Sequence, residues 1–231
     1  MKNDLALKNV RTIDFVSQIA NSLEEAILDG SLGMGTQLIE TEIARSFHSS
    51  RQPIREAFRV LENRGLVTIV PRKGAFVKKI TQKDFEDYFP VRAMLDGLAG
   101  RLAYRSISTE DIENLNLVLE RMAKSASKKE FRTYLNFHYD FHAIINMAAD
   151  NQILINFLTM MRTTHAWFLL SSLEYFRRHF DQSLEYHKKI VKEFERKRCS
   201  ENEIEQLFRE HVLISLDFYR ECWAEGKIES I

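Results

Sequence analysis

The 231-residue chain carries 33 Lys/Arg against 33 Asp/Glu, and its 45% hydrophobic content excludes a disordered chain and suffices for one large domain or two modest ones. The start, MKNDLALKNVRTIDF, lacks the apolar run of a signal peptide, and stretches such as AWFLL are too short to span a bilayer, so a soluble, cytoplasmic protein with no membrane partner is expected. Its two cysteines, Cys199 and Cys222, lie late in the chain and cannot brace the whole fold, which fits reducing surroundings.

Overall neutrality hides an asymmetry. Residues 41–80 hold nine basic side chains against three acidic ones. Such a local basic patch is the footprint of a nucleic-acid module, although a solvated basic face has the same composition. Five of the eight glycines and two of the three prolines also fall in the first 80 residues. A small, sharply turned domain over residues 1–80, followed by an all-helical one over 81–231, is predicted.

In chain order, TIDFVSQIANSLEEAILDG has helical apolar spacing and ends at Gly30, a plausible C-cap. The loop SLGMGTQL follows, then a short helix in IETEIARSF, a turn at HSS, and a second helix in RQPIREAFRVLENRG. In that helix Ile54, Phe58 and Leu61 form the apolar stripe; Ser50 is placed as N-cap, and Pro53 is tolerated because it lies in the first turn. LVTIV and AFVKKI, joined by PRKG, read as a hairpin, which completes a winged helix-turn-helix. Beyond residue 80, helices are expected at about 82–106, 109–127, 129–149, 151–173, 183–198 and 201–226. Pro90 should kink the first of these, and SLEYFRRHFDQ is read as an irregular link before the fifth, with Asp181 or Ser183 as its cap. The fold class is therefore mainly α, a winged helix-turn-helix plus an all-α bundle.

In a winged helix-turn-helix, the second helix of the motif enters the major groove with its N-terminal residues leading. Here that segment is SSRQPIRE. Arg51 and Arg55 are four apart on one face, and each offers the fork that reads guanine O6 and N7. Gln52 suits adenine or a phosphate, and Arg45 on the preceding helix suits a phosphate. Lys73 and Gly74 at the hairpin tip suit a wing, where backbone without a side chain can approach the sugar-phosphate closely. Ser50, Arg45, Arg51, Gln52, Arg55, Lys73 and Gly74 are thus the candidate contacts to a double-stranded DNA operator.

At these residues the stretch from Leu38 to Val77 resembles the DNA-binding domain of the GntR family of bacterial transcription regulators, whose pattern runs roughly L-x-E-x-x-L-A, S-R-x-P-(V/I)-R-E-A-(L/F), L-E-x-x-G-L-V and P-x-x-G-x-x-V. The departures are Ile43 for the usual leucine and His48–Ser49 where a Gly-Val pair is common.

In the helical half, FHYDFH places two histidines four apart. On a helix, Tyr134, His138, Phe141, Ile145 and Ala148 form one stripe with His142 beside it, whereas Asp140 is turned about 200° away. By the same test His187 faces inward with Leu184, Val191 and Phe194, and His211 with Ile204, Leu207, Ile214 and Phe218; His165 can also face inward. One buried histidine is usually hydrogen-bonded in a core, but one divalent cation would satisfy four that converge.

This half resembles the FCD ligand-sensing domain of the FadR-like subfamily, through RAMLD, FHAIINMAADN, YHKKI and REH. The resemblance implies a homodimer that reads an inverted repeat as a ligand-responsive regulator, commonly a repressor, and a metal held by an Asp and three later histidines. Carried over, the histidines are His142, His187 and His211, and the Asp position is His138. Four imidazoles favour zinc, nickel, copper or iron over calcium or magnesium, with zinc or nickel the divalent transition metal expected. Open coordination positions and Arg92 would then receive a small organic acid as effector.

Two rivals stand beside this reading. A metal-dependent hydrolase would need Glu directly after the first histidine of its HxxxH pair, and that residue is Tyr139. Alternatively, the helical domain only dimerises and its histidines are packed structurally.

Overall fold

A computed structural model describes residues 10–171 and 177–225. The chain divides into two compact units, Met1–Lys79 and Ile80–Ile231.

In the first unit, helix α1 (Val10–Leu28) is followed by a two-residue strand β1 (Gln37–Leu38), helices α2 (Glu40–Ser46) and α3 (Arg51–Asn63), and strands β2 (Val67–Val70) and β3 (Gly74–Val77). The strands form an antiparallel sheet in the order β1-β3-β2, with Leu38 opposite Ala75 and Ile69 opposite Ala75 from the other side. Ile19, Ala20, Leu23 and Ile27 of α1 and Ile54, Ala57, Phe58 and Leu61 of α3 are buried, together with Leu66, Val67 and Val77. The apolar stripe of α3 is thus covered on its inner side, and its basic side chains are left to solvent. Gly74 enters β3 at φ +102°, a conformation that side chains rarely adopt. The turn between α2 and α3 runs through His48 at φ +49°, a left-handed backbone held by a residue with a Cβ.

Ser50 is the N-cap residue of α3, but its side chain makes no capping hydrogen bond, contrary to the usual service of a serine there. The loop before α2 contains β1, which the sequence reading leaves as loop.

The second unit comprises α4 (Gln82–Ser106), α5 (Thr109–Ser127), α6 (Phe131–Ala148), α7 (Gln152–Ser171), α8 (Arg177–Arg196) and α9 (Glu201–Ala224). Reciprocal capping boxes start three of them: Thr81 with Asp84, Ser108 with Asp111, and Ser200 with Glu203. Helix α4 runs through Pro90 and lies along α9. Their close approach depends on glycine. A Cβ on Gly97 would stand 2.9 Å from the Arg209 side chain, and one on Gly100 would collide with the Phe208 ring. Phe85, Phe89 and Tyr219 form the aromatic core between α4 and α9, with Phe168 of α7 stacked on Phe85 at 4.4 Å.

The expected irregular link is corrected in part. Residues 177–182 are helical and belong to α8, so neither Asp181 nor Ser183 is a cap; the earlier part of the link lies outside the described residues. Tertiary packing explains the extension: Phe180 is buried, stacking on Phe131 at 4.7 Å and meeting Tyr134 edge-on at 4.8 Å. Among the described residues, no helix is long and apolar enough to cross a membrane.

Candidate functional site

The candidate DNA contacts lie where α2, α3 and the hairpin meet solvent. Arg45, Ser50, Arg51, Gln52, Arg55, Lys73 and Gly74 are all exposed. Arg55 Nε donates to both carboxylate oxygens of Glu40, at 2.8 and 2.9 Å, and this carboxylate holds the guanidinium pKa above its ordinary value. The bond links α3 to the start of α2 and occupies one nitrogen of the Arg55 fork. Gln52 Nε2 donates to Glu56 at 2.9 Å. At the hairpin tip, Lys73 N–H donates to the Val70 carbonyl, while the Lys73 carbonyl accepts from Gln37 Nε2 at 2.9 Å. A groove of about 490 Å³ runs between α3 and the hairpin, bordered by Arg55, Arg59, Arg72 and Gly74. Arg59 and Arg72 were not among the sequence candidates, although both belong to the basic stretch that first marked this region.

In the second unit, α6 contributes His138 and His142, α8 His187 and α9 His211. All four are buried, and each offers one ring nitrogen within 4.8 Å of those of the others. Their rings are in contact: centroids lie 4.7 Å apart for His138 and His142, and 4.3 Å for His187 and His211. The Nε2 atoms of His142 and His211 face each other at 3.3 Å. His187 Nδ1 lies 2.6 Å from the Ser183 carbonyl oxygen, which can only accept, so this nitrogen carries the proton and Nε2 is left with a lone pair. That Nε2 is buried without a hydrogen-bond partner, as are Nδ1 of His138 and Nδ1 of His142.

Burial is the main cause that pushes the His138 and His142 pKa values well below the ordinary range, with the neighbouring imidazoles adding to it. Burial likewise pushes His187 down to about 4. All three are therefore neutral at pH 7, the form that ligates metal. Asp96 Oδ1 stands 3.8 Å from His142 Nδ1, a carboxylate beside the ring but beyond hydrogen-bond distance, while His142 Nε2 meets that of His211. Buried nitrogens with no partner and neutral rings, with a carboxylate nearby, make a donor set that fits a divalent transition ion.

Arg92 borders the same cavity, whose volume is only about 30 Å³. Burial works against the Arg92 charge, but the adjacent Asp96 carboxylate outweighs it and holds the guanidinium protonated. Nε and one terminal nitrogen of Arg92 donate to Asp96, and the other terminal nitrogen is buried without a partner. His165 is also buried and borders the cavity, its ring 5.7 Å from that of His138, but it stands outside the four-nitrogen group. Asp140 is exposed. Asp96, the acid that does approach the cluster, was seen in the sequence only as part of RAMLD.

A winged helix-turn-helix and a helical unit carrying a buried histidine cluster define the class of a two-part DNA-binding regulator. The model of the bacterial regulatory proteins of the gntR family matches residues 15–77, and that of the FCD domain matches residues 87–213. The chain belongs to the GntR family, in the branch that carries an FCD domain. It is 32% identical over 142 residues to the uncharacterized HTH-type transcriptional regulator YdhC of Bacillus subtilis, covering 61% of this chain and 63% of that protein. It is 30% identical over 152 residues to the probable D-xylose utilization operon transcriptional repressor of Paenarthrobacter nicotinovorans, covering 66% and 67%. The chain thus spans about two thirds of the length of the curated relatives it matches. Among solved structures, E. coli McbR/YncC has a similar fold, with a TM-score of 0.72 at 18% identity over 90% of this chain and 98% of that one. The family and these relatives are regulators, not enzymes.

Proposed function

We propose that the protein is a ligand-responsive transcription regulator, acting as a homodimeric repressor on an inverted-repeat operator and released by a small organic acid. The observation that carries the sensing half is the convergence of His138, His142, His187 and His211, four buried ring nitrogens within 4.8 Å of one another. These histidines would hold zinc or nickel, with His138 in the position where relatives usually carry a carboxylate. Bound there, the ion supplies positive charge and open coordination positions for an anion. The Ser183 carbonyl fixes the ring of His187, so that donor needs little rearrangement. Arg92, with one unpartnered terminal nitrogen, would take part of the carboxylate's charge.

On the DNA side, Arg51 and Arg55 would read bases and Gln52 a base or phosphate, while Arg45, Lys73 and the Gly74 backbone hold phosphates, with Ser50 at the helix start. The basic charge over residues 41–80 and the groove beside Arg55 and Gly74 support this reading. An effector that binds two states of the helical unit unequally shifts the population of the DNA-competent dimer.

Elemental analysis of the purified full chain tests the metal centre. About one zinc or nickel per chain is expected, lost in His187→Ala. Metal-free protein that still binds selected DNA as a dimer would instead favour a helical unit that only dimerises.

A further inference from the structure

The histidine cavity poses a problem of size. At about 30 Å³ it has room for two or three water-sized groups, each needing about 10–15 Å³, and an ion would take part of that. An organic acid cannot fit there whole. Two residues that border this cavity, Arg92 and His142, also border a second one of about 180 Å³ between α6 and α7. The buried guanidinium of Arg92 bears on both spaces: Asp96 takes two of its nitrogens, and the third is unpartnered.

The chemistry of the second cavity is one-sided. Its polar lining consists of Arg92, Arg162, Tyr139, His142, Asn146 and Thr159, with no carboxylate. Arg162 lies over the Tyr139 ring at 4.8 Å, which sets its guanidinium in place, and no acidic side chain pairs with it among the described residues. Asn146 Oδ1 is buried without a hydrogen-bond partner, an acceptor suited to a hydroxyl or a protonated group of a ligand. Ile155 and Leu158 give the remaining wall an apolar strip for a short carbon chain. Arg162 has no facing acid among the described residues, and Arg92, though paired with Asp96 on one side, keeps one terminal nitrogen without a hydrogen bond; together they favour an anion, and planar forks favour a carboxylate.

We propose that the effector is a dicarboxylic acid that bridges the two cavities, one carboxylate at the histidine cluster and the other held between Arg92 and Arg162 in the cavity under α7. This rests on the reading of the cluster as a metal site that takes a carboxylate. Arg162 is then a specificity-determining residue that distinguishes acids with a second anionic end from those without one.

Calorimetry on the zinc-loaded full chain tests it, using succinate, glutarate and adipate, each against the monocarboxylate of the same chain length. The best diacid is expected to bind about tenfold or more tightly than its monoacid, a difference of about 1.4 kcal/mol. Arg162→Gln, a change at an exposed position, should abolish that preference while leaving monoacid binding and zinc content unchanged. Equal affinity of every pair, or a preference that survives Arg162→Gln, overturns the proposal. The same titrations on zinc-stripped protein separate the two readings. A diacid preference that persists there and still depends on Arg162 keeps the second cavity and removes the metal from the account. Loss of all carboxylate binding in both forms overturns both.

Discussion

His187 donates through Nδ1 to the carbonyl of Ser183, one turn earlier on α8, and that bond decides which nitrogen faces the other three imidazoles. The backbone of the helix thus sets the tautomer, and the side chain arrives with its lone pair directed into the cluster.

One consequence is a pH dependence in metal-free protein. The unfolded chain takes up a proton at His187 near pH 6.5, whereas in the folded state the value is about 4. A depressed folded value means full stability above pH 6.5 and a loss as pH falls toward 4, of roughly 3 kcal/mol at most. Urea melts between pH 7.5 and 4.5 should show this decline, flattened in His187→Gln. Stability independent of pH over that range would contradict the buried neutral imidazole.

Restoring the carboxylate by His138→Asp should change metal choice. An oxygen donor with a negative charge favours harder ions. Competition dialysis is expected to raise the manganese-to-nickel ratio of the bound metal relative to the parent chain. An unaltered ratio would mean that position 138 does not ligate.

Gly100→Ala should separate α4 from α9, because its Cβ has no space beside the Phe208 ring. Overpacking of this kind costs about 1–3 kcal/mol, readable as a lower midpoint in urea. Phe208→Leu combined with Gly100→Ala should recover part of it.

His48→Gly should act in the opposite direction. The left-handed backbone at φ +49° costs a residue with a Cβ about 1–2 kcal/mol, which glycine avoids, although its greater freedom when unfolded offsets part of the gain. A stability of the first unit raised by about 0.5–1 kcal/mol, seen as a higher urea midpoint, is expected, with DNA affinity preserved.

DNA selected from a random pool gives the operator on which the arginines can be tested. Arg51→Ala and Arg55→Ala should each cost about 1–3 kcal/mol and relax the preference at one base pair per half-site. Lys73→Ala should weaken binding to all sequences alike and reduce its salt dependence.

Much of this was legible because the signals are local. The stripe Ile54, Phe58, Leu61, the Pro-Arg-Lys-Gly turn and the Ser/Thr caps are each written within a few residues. The histidines were legible for the same reason: their inward direction follows from helical spacing, and only their convergence needed the fold. What was hidden depends on pairing across the chain. Strand β1 exists because Leu38 and Gln37 find β3 almost forty residues on, and two residues carry no periodicity of their own. The start of α8 is charged, so it resembles a link until Phe180 is seen against Phe131 and Tyr134. Asp96 as the partner of Arg92, one turn on along α4, is a local i,i+4 pairing within RAMLD; that the pair borders the histidine cluster, and that Arg162 forms a wall of a cavity, follow only from the packing of α4, α6 and α7.

The four histidines come from helices well apart in the chain, His211 lying 69 positions after His142. An ion held by them would fasten α6, α8 and α9 as a reversible cross-link, closing a long loop in the way that a disulfide does. Supply of that ion would then set how long the protein resists proteases, and a chelator would shorten its lifetime even where no effector is present.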